Sequence, residues 1–167
     1  MNFVTHLECS LTGKIYPAGQ VHGLSEAGRP LLVRYDLDAM KEKLSKSALA
    51  QSTAPGFWRY ADFLPVAEPE NRVSLGEVMT PIIPLEQSAH HLGAKPGNVL
   101  VKDEGRLPTG SFKARGLCLA VSMAKEFGIE HLAIPTNGNA GAAMAAYAGR
   151  RTSTSARSNR RVVTLTW

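Results

Sequence analysis

The region from residue 98 to residue 149 constrains the fold most, because it repeats one pattern twice. A short apolar run, V-L-V-K, leads through a polar loop into a long stretch with apolar residues at helical spacing that ends at Gly128. A second run, H-L-A-I-P, leads through T-N-G-N into an alanine-rich stretch. Alternation of strand, loop and helix predicts an α/β fold with a parallel sheet, in which ligands bind at the carboxyl ends of the strands.

The residues before this region divide into two further segments. Residues 1–35 contain short apolar pieces separated by Gly and Pro, which predicts a small hairpin-rich module with a thin core. Residues 36–72 begin with a helix that Asp36 can cap and continue as an irregular connector rich in Pro, Gly and aromatic residues. We therefore expect a ribbon-like module at 1–35, a helix and connector at 36–72, an incomplete α/β domain at 73–150 and a separate basic tail at 151–167.

The formal net charge of +5 comes from the tail. Acidic and basic residues balance up to Gly149, and the excess is supplied by Arg150, Arg151, Arg157, Arg160 and Arg161. Nucleic-acid binding would therefore depend on the tail alone, because the rest of the chain has no basic excess. No apolar run approaches the ~20 residues of a membrane span, and the first ten residues lack the pattern of a secretory signal. We expect a cytoplasmic protein without a membrane partner.

Two cysteines and two adjacent histidines are the obvious candidates for metal ligation. Cys9 and Cys118 lie far apart in the sequence, which excludes a disulfide framework and a four-thiolate metal site. His90 and His91 would point about 100° apart on a helix, which makes them a poor ligand pair. We expect no metal.

Lys113 and the loop T-N-G-N are the strongest candidates for chemistry. Lys113 lies just after a strand and loop, at the start of a predicted helix, where anions are favoured and a lysine is unusual. A surface lysine is the ordinary alternative. The T-N-G-N loop precedes the second helix, and its backbone amides can bind a carboxylate there. The ordinary alternative for this loop is a capping turn in which Gly138 supplies a positive φ.

Two longer strings favour the functional interpretation through a resemblance. The string D-E-G-R-L-P-T-G-S-F-K-A-R-G-L, residues 103–117, resembles the pyridoxal-phosphate attachment motif of the serine/threonine dehydratase and threonine synthase group, which are fold-type II enzymes. P-T-N-G-N-A-G-A-A-M-A-A-Y-A, residues 135–148, resembles the asparagine loop of the same group. S-L-G-E-V-M-T-P-I-I-P-L, residues 74–85, and the amino-terminal ribbon resemble further stretches of the synthases. The resemblance covers nearly all of residues 1–150.

The resemblance implies roles for individual residues. Lys113 would carry pyridoxal 5'-phosphate covalently and act as general base and acid, with Phe112 beside it at the cofactor. Asn139 would hydrogen-bond the phenolic oxygen of the cofactor. Thr109 and Arg115 would serve substrate phosphate or local structure, of which we favour structure. The substrate carboxylate would be bound by the amides of Thr136, Asn137, Gly138 and Ala140.

The implied reaction converts O-phospho-L-homoserine and water to L-threonine and phosphate. The resemblance leaves open whether the enzyme is a monomer or a homo-oligomer. The two motifs do not separate such a synthase from a threonine or serine dehydratase, although the amino-terminal ribbon favours the synthase. Many relatives carry paired C-x-x-C motifs in that ribbon. Thr12 replaces the partner of Cys9, so a zinc site is not expected. A non-catalytic remnant, or a nucleic-acid binder that uses the arginine tail, is the alternative of another class.

The resemblance stops at Arg150. The tail contains no glycine, and the glycine-rich loop that would bind the cofactor phosphate is not found. Reading the back-translated codons of T-S-T-S-A-R-S one base earlier gives the polar and apolar alternation of a strand. We therefore expect a truncated, frameshifted and inactive form. Its tail should be disordered, or docked on a sheet edge through Val162, Val163, Leu165 and Trp167.

Overall fold

The computed structural model of the chain describes residues 3–151, 155–159 and 162–166. The chain divides into two compact units. The first unit consists of Met1–Ala54, Trp58–Arg72 and Leu119–Glu130. The second consists of Pro55–Phe57, Val73–Cys118 and His131–Trp167.

The first unit begins with a three-stranded antiparallel sheet, here called the ribbon. Its central strand, β1 (Val4–Cys9), pairs on one side with β2 (Ile15–Pro17) and on the other with β3 (Leu31–Tyr35). The turn after β1 closes through a hydrogen bond of 3.0 Å from the Gly13 amide to the Cys9 carbonyl. Gly13 has a φ of +70°, which glycine adopts without steric cost. The hairpins expected for this segment are therefore present.

Short helices follow the ribbon. Helix α1 (Leu37–Lys43) begins at Asp36, whose carboxylate accepts a hydrogen bond of 2.9 Å from the Ala39 amide, as the sequence predicts. Helix α2 (Lys46–Gln51) is capped in the same way by Ser45. The connector forms two 3₁₀ segments, Gly56–Phe63 and Pro69–Asn71. Trp58 and Val66 are buried, and they anchor the part of the connector that belongs to this unit.

The second unit contains the two predicted strand, loop and helix repeats. Strand β4 (Ile82–Pro84) is followed by helix α3 (Glu86–His91) and by strand β5 (Leu100–Lys102), which pairs antiparallel with β4. A 3₁₀ turn at Glu104–Arg106 leads to helix α4 (Lys113–Glu126), which enters the first unit at Leu119. Strand β6 (His131–Pro135) and helix α5 (Asn139–Arg151) complete the second repeat. These elements confirm the predicted strands and helices.

The strand pairings give a mixed α/β fold of small sheets. Strand β8 (Val162–Thr166) lies between β6 and β7 (Ser155–Asn159) and is antiparallel to both. The sheet-edge docking expected for Val162, Val163 and Leu165 is therefore present in the backbone, while Trp167 lies outside the described residues. Parallel pairing of β5 with β6 does not occur among the described strands. Each strand instead satisfies its backbone groups on one edge with β4 or β8.

Helices α4 and α5 each bury one face in the second unit. Ala114 and Cys118 on α4 are fully buried at a spacing of four residues. The buried face of α5 consists of Ala143, Met144, Tyr147 and Ala148. Within the described ranges, no helix combines the length and the apolar character that crossing a membrane requires.

Candidate functional site

Lys113 is the first residue of α4, and a tight turn delivers it there. Leu107, which is 3% exposed, anchors the preceding loop. The Gly110 amide donates a hydrogen bond of 2.8 Å to the Leu107 carbonyl, and Gly110 has a φ of +68°. The Ala114 amide then donates to the Ser111 carbonyl and starts the helix. The sequence therefore folds locally so that a half-buried lysine stands at the helix start.

Phe112 contacts the Lys113 ammonium group directly. The Nζ atom lies 4.5 Å from the centroid of the Phe112 ring, within the range of cation–π interactions. The Phe112 side chain itself is 60% exposed. A ligand that binds the Lys113 amine can therefore replace its contact with the exposed Phe112 ring.

The loop between β6 and α5 is shaped by the Thr136 hydroxyl. Its Oγ1 accepts hydrogen bonds of 3.1 Å from the Gly138 amide and 3.0 Å from the Gly141 amide. Gly138 has a φ of +153°, a conformation that other residues rarely adopt. The remaining amides of the first turn of α5 have no acceptor within the helix, because the first four N–H groups of any helix lack one. This loop can therefore donate backbone hydrogen bonds to an anion.

One cavity brings the two predicted motifs together. It has a volume of about 700 Å³ and is lined by Lys113 and by the loop residues Pro135, Thr136, Asn137, Gly138, Asn139 and Ala140. An amine that can form a covalent bond, a carboxamide and backbone amides that can donate to an anion therefore meet in one space. The structure confirms the predicted proximity of Lys113 and Asn139.

Arg115 does not line this cavity, because its guanidinium group is bound to Glu104. The Nε and Nη2 atoms of Arg115 donate hydrogen bonds of 2.6 and 2.9 Å to the two carboxylate oxygens. Thr80 Oγ1 donates a third bond, of 2.6 Å, to the same carboxylate. The bonds from Arg115 are the main cause that lowers the pKa of Glu104 to about 2. This arrangement supports the structural role that we favoured for Arg115.

Thr109 and Phe112 also lie outside the lining of the cavity. The Thr109 hydroxyl is buried and has no hydrogen-bond partner among the described residues, and the same holds for the Ser111 hydroxyl. An unsatisfied buried hydroxyl costs about 1–3 kcal/mol, so a group that hydrogen-bonds either one would be stabilised here.

The sequence analysis missed Thr80 and Glu104 as partners of Arg115. Thr80 is 35 residues from Arg115, and Glu104 is 11 residues away, so no helical or strand spacing connects them. The only available signal was the acidic pair Asp103 and Glu104, which directly follows the strand and precedes the polar loop.

The other candidates have structural roles. Cys118 Sγ donates a hydrogen bond of 3.2 Å to the Val73 carbonyl, and burial raises the pKa of its thiol. The rings of His90 and His91 are 6.0 Å apart and nearly perpendicular. Among the described residues, no group of three or more His, Cys, Asp and Glu side chains is placed to hold a metal ion.

Residues 73–154 match the family model described as "Pyridoxal-phosphate dependent enzyme". The chain is similar to the threonine synthase of Methanocaldococcus jannaschii, with 37% identity over 142 residues, which are 85% of this chain and 34% of the relative. The threonine synthase of Methanosarcina acetivorans is 35% identical over 147 residues, 87% of this chain and 34% of the relative. That of Halalkalibacterium halodurans is 47% identical over 91 residues, 54% of this chain and 25% of the relative. The chain spans about one third or less of the length of these relatives.

Proposed function

This chain belongs, through residues 73–154, to the family of pyridoxal-phosphate dependent enzymes, and from that premise we propose that it is the amino-terminal part of a threonine synthase. The proposed reaction of the whole enzyme converts O-phospho-L-homoserine and water to L-threonine and phosphate. The similarity to threonine synthases over 85% of the chain, including the ribbon, supports the synthase over a dehydratase of the same fold.

The cavity that joins Lys113 to the 135–140 loop carries the proposal. Its volume lies within the range of roughly 300–1,000 Å³ that is usual for small-molecule sites. Its chemistry fits pyridoxal phosphate, because an amine is available for the covalent link and Asn139 offers a carboxamide for the phenolic oxygen.

Each residue then has a defined task. Lys113 Nζ would hold the cofactor covalently, and as a free amine it would accept and return protons beside the reacting carbon of the substrate. The amides of residues 136–140, except that of Gly138, which donates to the Thr136 hydroxyl, would bind the substrate carboxylate at the start of α5, where the helix dipole favours an anion. Phe112 packs against the lysine and orients it. The cofactor, when bound, supplies an electron sink for the negative charge that develops on the substrate.

The assignment of segments is part of the same proposal. Residues 1–35 form the amino-terminal module, 36–72 the helix and connector, 73–150 the incomplete cofactor domain and 151–167 a tail outside the family pattern. The isolated chain would then be inactive or nearly so, because it lacks a glycine-rich loop for the cofactor phosphate. The whole enzyme would act in the cytoplasm on a small molecule, as a monomer or a homo-oligomer, with no membrane or nucleic-acid partner.

An NMR titration tests this assignment. Adding pyridoxal phosphate to the ¹⁵N-labelled chain should shift the amide signals of Lys113 and of residues 136–140, and the Asn139→Ala variant should bind more weakly. With the cofactor present, O-phospho-L-homoserine should shift the loop signals further and L-threonine should do so less. A larger response to L-threonine or L-serine would favour the dehydratase. Signals that stay unchanged on addition of the cofactor would contradict the proposal.

A further inference from the structure

Glu77 is a buried carboxylate that the proposed chemistry does not use. Glu77 is only 3% exposed, and its carboxylate accepts three hydrogen bonds. Two are local, from the Ser74 hydroxyl at 2.6 Å and from the Leu75 amide at 2.9 Å. The third comes from the Tyr147 hydroxyl, 70 residues away in the sequence, at 2.6 Å. The carboxylate therefore connects its own segment to helix α5.

Tyr147 lies on the same helix as Asn139. The two residues are eight positions apart, which corresponds to about 12 Å along a helix. The Tyr147 side chain is fully buried beside Ala143 and Met144 on the same helix face. Because only about two helical turns separate Tyr147 from Asn139, a bond that fixes Tyr147 restrains the beginning of α5 and the loop before it.

The segment that carries Glu77 also holds helix α4. The Val73 carbonyl accepts the hydrogen bond from Cys118, which lies five residues after Lys113 on α4. Residues 73–77 therefore hydrogen-bond to both helices whose first residues line the cavity. We call this segment the clamp.

The backbone of Gly56 packs against the clamp at Glu77. Its φ is +53°, and a Cβ atom built on it would lie 1.5 Å from the Glu77 carbonyl oxygen. The backbone of residue 56 thus packs directly against the backbone of Glu77, with no room for a side chain. This contact prevents residues 73–77 from moving toward Gly56.

The charge state of the pair favours a strong bond. Burial alone would raise the pKa of Glu77, but the bonds from Leu75, Ser74 and Tyr147 outweigh it, and the pKa lies below its ordinary value. Burial and the Glu77 charge both raise the pKa of Tyr147. An ionised acceptor and a protonated phenol therefore face each other, and such charge-assisted bonds are shorter and stronger than neutral ones.

We propose that Glu77 and Tyr147 are positioning residues whose hydrogen bond sets the place of Asn139 relative to Lys113 through the clamp. This inference rests on the proposed function for the roles of Lys113 and Asn139. The geometric part, that the bond orders the first turn of α5, stands without a cofactor. The two parts therefore receive separate measurements.

The test compares Tyr147→Phe with a matched carboxylate variant in the other unit. Tyr147→Phe removes only the hydroxyl from the bond to Glu77. Glu126→Gln is the control, because the Glu126 carboxylate also accepts three hydrogen bonds, from the amides of Ala67 and Glu68 and from Asn71. Glu77→Gln, which keeps the shape and removes the charge, replaces Tyr147→Phe if that variant does not fold.

Amide hydrogen exchange measures the geometric part. In Tyr147→Phe the amides of residues 141–143 should exchange about tenfold faster or more, the range expected for loss of a bond to a charged group. In Glu126→Gln the exchange rates of these amides should change by no more than the change in that variant's free energy of unfolding accounts for. Faster exchange confined to the turn around residue 147, or an equal effect of Glu126→Gln, would overturn the inference.

The NMR titration with pyridoxal phosphate measures the functional part. The apparent Kd of Tyr147→Phe should rise several-fold and that of Glu126→Gln should not. An unchanged Kd in Tyr147→Phe would overturn the inference even if exchange is faster. If the unaltered chain gives no cofactor-dependent shifts, the proposed function fails, and the exchange result alone decides whether the bond orders α5.

Discussion

The ribbon and the cavity both place polar groups at tight turns, but they use these groups differently. In the ribbon, Cys9 Sγ lies 3.1 Å from the Ser25 hydroxyl and 3.5 Å from the Thr12 amide, and Ser25 Oγ accepts a bond from the Arg29 amide. Hydrogen bonding with Ser25 and Thr12 lowers the pKa of the Cys9 thiol to about 6. The polar groups of this turn therefore satisfy one another, and the turn is built for stability.

At the cavity, the polar groups instead line an open space. Thr136 satisfies two amides, but Lys113 and Asn139 line a volume of about 700 Å³. The loop before Lys113 keeps two buried hydroxyls without partners among the described residues. The function of a turn therefore depends on whether its polar groups bond to one another or line a space that a ligand can enter.

The largest effect is expected from Gly56→Ala. The new Cβ would meet the Glu77 carbonyl at 1.5 Å, and alanine would also have to adopt a φ of +53°. We expect a loss of about 2–4 kcal/mol in the free energy of unfolding, from steric overlap and backbone strain together. Gly13→Ala in the ribbon, at a φ of +70° with open space around it, should cost only about 1 kcal/mol. Equal losses in urea unfolding would show that the clamp is not closely packed.

Arg115→Met should cost less and should depend on pH. Glu104 is left partly buried without its main partner, and we expect a loss of about 1–2 kcal/mol near neutral pH. The pKa of Glu104 is about 2 in the folded chain against an ordinary 4.5, so this stabilisation is present above pH 4.5 and is lost as the pH falls toward 2. The variant and the unaltered chain should therefore converge in acid.

Arg34→Met in the ribbon provides the control for the Arg115 pair. Arg34 forms a similar two-bond contact with Glu8, but its side chain is 45% exposed against 26% for Arg115. Its loss of stability should be smaller because solvent screens the pair. A pH-independent difference between Arg115→Met and the unaltered chain would contradict the assigned role of Glu104.

A smaller effect is expected from Thr136→Val. The hydroxyl that accepts from Gly138 and Gly141 is removed, which should cost about 1 kcal/mol, as for other helix-capping side chains. Thr12→Val in the ribbon removes one acceptor for the Lys14 amide, at 3.3 Å, and should cost a few tenths of that. Thermal unfolding of the two variants checks the ranking, and a larger effect in the ribbon would reverse it.

The smallest effect is expected from metal removal. Cys9 hydrogen-bonds with Ser25 and Thr12. Among the described residues, it is not part of any group of three or more His, Cys, Asp and Glu side chains that could hold a metal ion. Treatment with a chelator should therefore leave the Tm unchanged. A fall in the Tm that zinc restores would show that the ribbon binds a metal and would remove the contrast with the cavity.

The repeats and the motif residues could be predicted from the sequence because their signals are local. Apolar runs and glycine stops located β5, α4, β6 and α5, and the resemblance of residues 103–117 and 135–148 to the family motifs pointed to Lys113 and Asn139. The bond from Tyr147 to Glu77 could not be predicted, because it spans 70 residues and depends on packing. The pairing of β6 with β8 was anticipated only as docking on a sheet edge, although V-V-T-L-T, residues 162–166, has the β-branched residues and the apolar and polar alternation of a strand.

Reductive trapping at Lys113 tests the central claim most directly. The chain is incubated with pyridoxal phosphate, reduced with borohydride and digested, and the modified lysines are located by mass spectrometry. Because reduction is irreversible, the method records even a weak complex. We predict that Lys113 is modified well before the other lysines, such as Lys14 in the ribbon, and that Asn139→Ala reduces this preference. Modification of Lys113 at the same rate as Lys14 would contradict the account.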